Sequence, residues 1–186
     1  MKKINLGCLI IILALSLYGK KVDGINIDKS VSFAGKTMLL QGAGVRSKFI
    51  FDIYVGALYL AHSTKNPKQI IQANYPMGIK MIITSSLVSA SKMKEGFSND
   101  FKSMQNIGYK VEKKLLRKFL NTFNTKIHKG DMFDFVYLPE DKIIIYKNGL
   151  KINSIKSFDF KKSLFAIWLS SRPAQKSLKK KMLGYR

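Results

Sequence analysis

The chain reads as an α+β fold: an open-faced β-sandwich in which an antiparallel sheet is covered on one face by a layer of helices. Three observations predict it. The C-terminal part holds three short β-rich runs, entered by a turn at Lys129-Gly130-Asp131 and joined by tight turns at Pro139-Glu140-Asp141-Lys142 and Asn148-Gly149, and the last is a type I′ hairpin signal, so they form an antiparallel meander. Segments with helical apolar stripes are inserted between groups of strands instead of alternating with them, which argues against parallel βαβ winding. Residues 49–60 are a long β-branched and aromatic run that needs a sheet to bury it.

Met1-Lys2-Lys3 is a short positive region, followed by the apolar run 6–17 interrupted only by Gly7, Cys8 and Ser16. That run is too short to span a bilayer comfortably and has the length of a secretory h-region. Cleavage is expected near Gly19 or Gly24, leaving a leader at 1–24 and a single domain at 25–186, periplasmic or secreted. Cys8 is the only cysteine and precedes most of the h-region, which argues against lipidation. The processed chain would then have no disulfide, thiolate metal site or cysteine nucleophile.

Residues 25–33 and 36–41 alternate loosely about Gly35, as a hairpin would. Gly42-Ala43-Gly44 reads as a turn that delivers Arg46 between two apolar strands, and a cation so placed is costly to desolvate unless an anion, a carboxylate or water meets it. Counting by twos puts Arg46, Lys48, Ile50, Asp52, Tyr54, Gly56 and Leu58 on one face, a cleft wall, and Phe49, Phe51, Ile53, Val55, Ala57 and Tyr59 on the other, the core. Asn66-Pro67 opens a short helix over 67–74. Residues 78–88 form a strand, and Ser89 or Ser91 caps a long helix with Met93, Phe97, Phe101 and Met104 at helical spacing.

After Gly108 a second helix sets Val111, Leu115, Leu116, Phe119, Leu120 and Phe123 opposite Lys113, Lys114, Arg117 and Lys118, a stripe that packs on a sheet more readily than it lies on a membrane. Strands follow at 132–138, 143–146 and 150–155. Ser157 or Asp159 caps a final helix carrying Phe160, Leu164, Ile167 and Trp168. The basic tail from Ser177 is a short helix or an extended end.

With 186 residues, 46% hydrophobic and 11% aromatic, the chain can bury a real core. Its 33 Lys and Arg against 11 Asp and Glu give a formal charge of +22, and loss of the leader lowers it only to about +19. The lysines are spread along the chain with no base-reading motif, so nucleic acid is not an expected partner, whereas an anionic membrane surface is a possible one. His62 and His128 lie outside any nucleophile or metal-ligand pattern. Nothing specific supports haem, and no cofactor or metal is expected.

Leu40-Gln41-Gly42-Ala43-Gly44-Val45-Arg46, the run from Phe49 through Tyr54-Val55-Gly56-Ala57-Leu58-Tyr59-Leu60, Lys129-Gly130-Asp131, Asn148-Gly149, and Phe165-Ala166-Ile167-Trp168-Leu169-Ser170 with Arg172-Pro173-Ala174 together resemble the bacterial chalcone isomerase-like family over residues 30–184. The resemblance implies the fold above. It also implies that Arg46 matches the arginine that plant chalcone isomerases set against an anionic oxygen, that the strand threonine falls at Tyr54, and that Asn99 holds the asparagine position. The family's tyrosine is replaced by Lys92 and its last-helix hydroxyl by Ile167.

Non-catalytic relatives use the arginine with a tyrosine to hold a fatty-acid carboxylate. A monomeric binder of a small amphipathic anion is therefore expected, with Arg46, Tyr54, Lys92 and Asn99 at the ligand and Phe51, Phe97, Phe101 and Trp168 as apolar walls. One alternative is a cofactor-independent isomerase acting on an enone-like substrate through Arg46, Tyr54 and Asn99. Another is a basic envelope scaffold for anionic lipid or a protein partner. Read without the resemblance, Arg46 pairs with Asp52 or caps a turn in solvent, Tyr54 and Tyr59 are packed strand aromatics, and Lys92 and Asn99 are ordinary helix-surface residues.

Overall fold

A computed structural model describes residues 18–140 and 142–185, so most of the expected leader lies outside the described residues. A two-stranded hairpin comes first, β1 (Tyr18–Val22) and β2 (Ile25–Asp28). β1 thus occupies part of the segment expected to be removed. Then follow β3 (Ser30–Phe33), β4 (Lys36–Lys48), β5 (Phe51–Leu60), α1 (Pro67–Gln72), β6 (Met77–Ile83), α2 (Ala90–Gln105), α3 (Lys113–Leu120), β7 (Met132–Leu138), β8 (Lys142–Lys147), β9 (Leu150–Lys156), α4 (Phe158–Leu169) and α5 (Lys176–Met182). Strands β3 to β9 form one seven-stranded antiparallel sheet in sequence order, as the α+β reading expects.

Local chemistry places the helix starts. The Asn66 side chain accepts from the Lys68 and Gln69 amides, with Pro67 at the first helical position, and Ser89 and Ser157 cap α2 and α4 in the same way. α1 ends at Gln72, earlier than the expected 74, and β6 ends at Ile83, earlier than the expected 88. Asn148 and Gly149 both take positive φ, 50° and 81°, as a type I′ turn requires.

The Gly42-Ala43-Gly44 segment is not a turn. β4 runs unbroken through it to Lys48, and the turn falls at Phe49-Ile50, where φ of Phe49 is 55°. The glycines are needed for approach. A Cβ on Gly42 would stand 2.2 Å from the Lys181 carbonyl oxygen and 2.8 Å from the Gly184 nitrogen, and one on Gly44 would stand 2.6 Å from Lys181 Cβ. Gly42, Gly44 and Arg46 alternate onto one face of β4, and α5 lies across the two glycines. Arg46 is the first residue of that row to carry a side chain beyond the helix.

The assignment of faces is also corrected. The helix-covered core lies on the face of Tyr54, Leu58 and Leu60, joined by Met81, Phe97, Phe101, Phe135, Phe165 and Trp168. Val55, Ala57 and Tyr59 point to the opposite face, where a smaller cluster with Val22 and Ile27 is roofed by the β1–β2 hairpin. Phe49 and Phe51 belong to neither core, being 91% and 49% exposed. The count by twos does group Arg46 with Tyr54 and Leu58, and Val55 with Ala57 and Tyr59, but it takes the wrong group for the main core and runs through the hairpin turn at Phe49-Ile50 and the β-bulge between Tyr54 and Asp52 as if they were straight strand.

Gly42→Ala is expected to push α5 off β4 and to destabilise the domain by about 1–3 kcal/mol, the usual cost of overpacking. Urea denaturation checks this. The same substitution at Gly96, where an added Cβ meets nothing within 4 Å, should be neutral or mildly stabilising.

Candidate ligand-binding site

Where β4 and β5 turn at Phe49-Ile50, the sheet and α2 diverge around a cleft of about 490 Å³. Its apolar lining includes Phe51, Ile53, Met81, Val88, Met93 and Phe97, and Arg46, Lys48, Lys92, Glu95, Asn99 and Asp100 supply its charged and polar groups. Phe101 and Trp168, expected as walls, are instead buried in the core behind it.

Arg46 and Tyr54 are directly paired across β4 and β5, so they share a face as neighbours on two strands and not as residues eight apart on one. Arg46 Nη1 donates to the Ser47 carbonyl at 3.0 Å and to Gln175 Oε1 at 3.2 Å. The same Gln175 oxygen accepts from the Ser47 amide at 2.9 Å. Gln175 stands at the N-cap of α5 but makes no cap bond of its own there. It clamps Arg46 instead. With Nη1 committed, the Nε and Nη2 hydrogens remain for the Tyr54 oxygen and for an incoming anion.

Tyr54 is buried, and its hydroxyl accepts from Trp168 Nε1 at 2.9 Å. Burial pushes the Tyr54 hydroxyl well above the ordinary value, opposed by the Trp168 bond and by the charge and hydrogen bond of Arg46. It therefore stays a neutral donor. Trp168 serves as its anchor, which is why a core tryptophan bears on the site without lining it.

Asp100 was not anticipated. Half-buried on α2, it faces the same cleft, and burial pushes its carboxyl up to about 6 against the opposing charge of Arg46. A sequence signal existed: Asp100 stands seven residues after Met93 and three after Phe97, an acid inside the apolar stripe of α2. Lys92 and Asn99 also reach the cleft but stand exposed at its rim, with Lys92 Nζ donating to the Leu87 carbonyl at 3.1 Å. Ile167 is buried in the main core. Asp52 is not the partner of Arg46, since its carboxylate accepts from Ser47 Oγ at 2.6 Å. His62 packs edge-on to Tyr75, His128 stands near Asp131, and neither lines the cleft. Among the described residues no cluster of His, Cys, Asp and Glu is arranged to hold a metal.

The elevated Asp100 value has a thermodynamic consequence. Between pH 3.8 and about 6 the folded chain binds a proton that the unfolded chain has released, so stability from this group is full below 3.8 and is lost as pH rises through 6. Asp100→Asn should therefore stabilise the protein at pH 7.5 by about 1–3 kcal/mol and leave it nearly unchanged at pH 4. Urea titrations at the two pH values test the sign.

A sequence model described as chalcone isomerase-like matches residues 19–184. The chain belongs to the chalcone isomerase-like family. A fatty-acid binding protein of Arabidopsis thaliana, known from its crystal structure, superposes on this chalcone isomerase-like protein with a TM-score of 0.72 at 17% identity, covering 86% of this chain and 92% of its own. At that identity the likeness speaks for the fold. No curated protein matches the chain in sequence. The family profile begins at residue 19, within β1, so this chalcone isomerase-like domain takes in the N-terminal hairpin as well as the sheet.

Proposed function

We propose that this chalcone isomerase-like protein binds a small amphipathic carboxylate, of fatty-acid type, with the carboxylate on Arg46 and the chain along the apolar side of the cleft. The observation that carries the reading is the state of Arg46. One edge of its guanidinium is fixed by Gln175 and the Ser47 carbonyl, and the other is left beside a neutral tyrosine in a half-apolar cleft. A guanidinium so oriented gives a carboxylate two charge-assisted bonds without first having to be ordered. The structural neighbour described as a fatty-acid binding protein supports the ligand class.

Tyr54 adds a donor, and Lys92 and Asn99 stand at the rim where a headgroup enters. Asp100 makes binding pH-dependent. Its ionised carboxylate repels an incoming one, so affinity rises as pH falls through about 6. The leader-like residues 1–17 support export to the periplasm or beyond. Because β1 is an ordered part of the domain, the reading favours cleavage before it over cleavage at Gly24.

Native mass spectrometry of the protein recovered from its own compartment tests the function. The expected spectrum carries an added mass that solvent extraction identifies as a carboxylic acid, and turnover of a chalcone is absent. A ligand-free spectrum together with Arg46-dependent closure of a chalcone to a flavanone would replace this reading with the isomerase one.

A further inference from the structure

The antiparallel meander sends alternate turns to opposite ends of the sheet. One end gathers the β4–β5 turn, the segment leading from β6 into α2, the approach to β7, and the β8–β9 turn. Large exposed apolar side chains concentrate there: Phe49 at 91%, Ile50 at 89%, Leu87 at 48%, Met132 at 37% and Leu150 at 74% exposed. The turns at 49–50 and 148–149 are four strand spacings apart, about 19 Å along the sheet.

The two turns make a useful contrast. The turn at 148–149 uses Asn-Gly, the residues suited to positive φ. The one at 49–50 is also two residues long, closed by the Lys48 and Phe51 pair, yet it places a phenylalanine at φ 55° and an isoleucine beside it in full exposure. Neither the turn geometry nor the core calls for those side chains. Around them stand exposed lysines, Lys48, Lys92, Lys126, Lys129 and Lys151. The acids of this end are fewer: Asp131 is bridged to Lys147 at 3.0 Å, Asp52 is bonded to Ser47, Asp100 is half-buried inside the cleft, and Glu95 is exposed at it.

We propose that this end of the sheet docks on an anionic lipid bilayer, with Phe49, Ile50 and Leu87 entering the headgroup boundary and the surrounding lysines meeting the lipid phosphates. Bulky apolar tips ringed by lysine suit that partner: the tips gain by leaving water, and the strong positive charge, +22 for the whole chain and about +19 without the leader, favours an anionic surface over a neutral one. Because Lys48, Phe49, Phe51, Leu87 and Lys92 also line the cleft, docking sets its mouth against the lipid. The surface stands independently of what the cleft binds.

Cosedimentation of the natively processed protein with vesicles of phosphatidylcholine alone, or mixed with phosphatidylglycerol, tests the proposal. Binding is expected only to the mixed vesicles and should weaken in high salt. A Phe49→Ser, Ile50→Ser double variant should bind them about tenfold or more weakly with an unchanged melting temperature, while Leu39→Ser, an exposed apolar site elsewhere on the sheet, should bind as the wild type does. Phe49→Trp should give emission that shifts to the blue on adding mixed vesicles. Equal binding by the double variant, equal binding to neutral vesicles, or an unshifted Phe49→Trp spectrum would overturn it. So would a dimer that the double variant dissociates in the absence of lipid, which would make this end a contact between two copies. Arg46→Ala should bind vesicles as the wild type does, so loss of the cleft ligand and loss of docking are separately visible.

Discussion

Lys161→Met should lower the melting temperature by about 5–15 °C, corresponding to roughly 2–4 kcal/mol in a domain of this size. Lys161 is completely buried on α4, and its ammonium donates to the carbonyls of Ile70, Ile71 and Ala73 at 3.0, 2.8 and 2.7 Å. At the end of α1 the Ile70 carbonyl also accepts from the Ala73 amide at 3.3 Å, whereas Ile71 and Ala73 present carbonyls past the last helical donor. The rings of Tyr137, Phe158 and Phe165 also lie within 5.0–5.5 Å of the nitrogen. Methionine fills the space but donates nothing, so the Ile71 and Ala73 carbonyls lose their partner and Ile70 keeps only the Ala73 amide, and relief from burying a charge offsets only part of that loss.

Burial pushes Lys161 from 10.5 down to about 7, with the charge of Lys162 acting in the same direction. Between those values the folded chain has released a proton that the unfolded chain keeps, so stability from this group grows as pH rises through that interval. The deficit of the methionine variant should therefore be larger at pH 9 than at pH 6. Calorimetry at both values would show it, and a variant as stable as the wild type would mean that α1 does not depend on this contact.

Arg46→Ala should weaken binding of a long-chain carboxylate about 100-fold or more, as expected for the loss of two charge-assisted hydrogen bonds. Arg46→Lys should recover only part of that, since an ammonium offers a point charge and cannot present two parallel donors. Neither variant should unfold. Arg46 is only half-buried, Gln175 still accepts from the Ser47 amide, and Tyr54 keeps its bond to Trp168. Displacement of a fluorescent fatty acid measures the affinities.

What could be read from the chain alone was whatever is decided by neighbours in sequence. Asn66, Ser89 and Ser157 cap their helices because capping is chemistry within one turn, and Asn148-Gly149 turns because two adjacent residues accept positive φ. The strand at 132–138 is found where expected for the same reason. Gly42 and Gly44 misled because a glycine that admits a turn and one that admits a helix look alike in sequence. The deciding atoms, on Lys181 and Gly184, lie about 140 residues away.

Phe49-Ile50 escaped notice as a turn because it has none of the residues that turns favour. The site divided in the same way. Arg46 was legible from its family setting, and Lys92 and Asn99 do reach the cleft. The clamp by Gln175 depends on where α5 docks, and the role of Trp168 depends on a bond across 114 residues. Only Asp100 could have been found earlier, as an acid out of place in an apolar stripe.

If Arg46 holds an ionised carboxylate as proposed, the carbon resonance of a carboxyl-labelled fatty acid reports on it directly. Bound to the wild type, a ¹³C-carboxyl palmitate should give one resonance that stays at its ionised position well below the ordinary carboxyl titration range, because the guanidinium favours the charged form and Asp100 takes up the first proton. In Arg46→Ala that resonance should be lost or titrate as it does in solution. A bound carboxyl that titrates identically in the wild type and in Arg46→Ala would contradict the account.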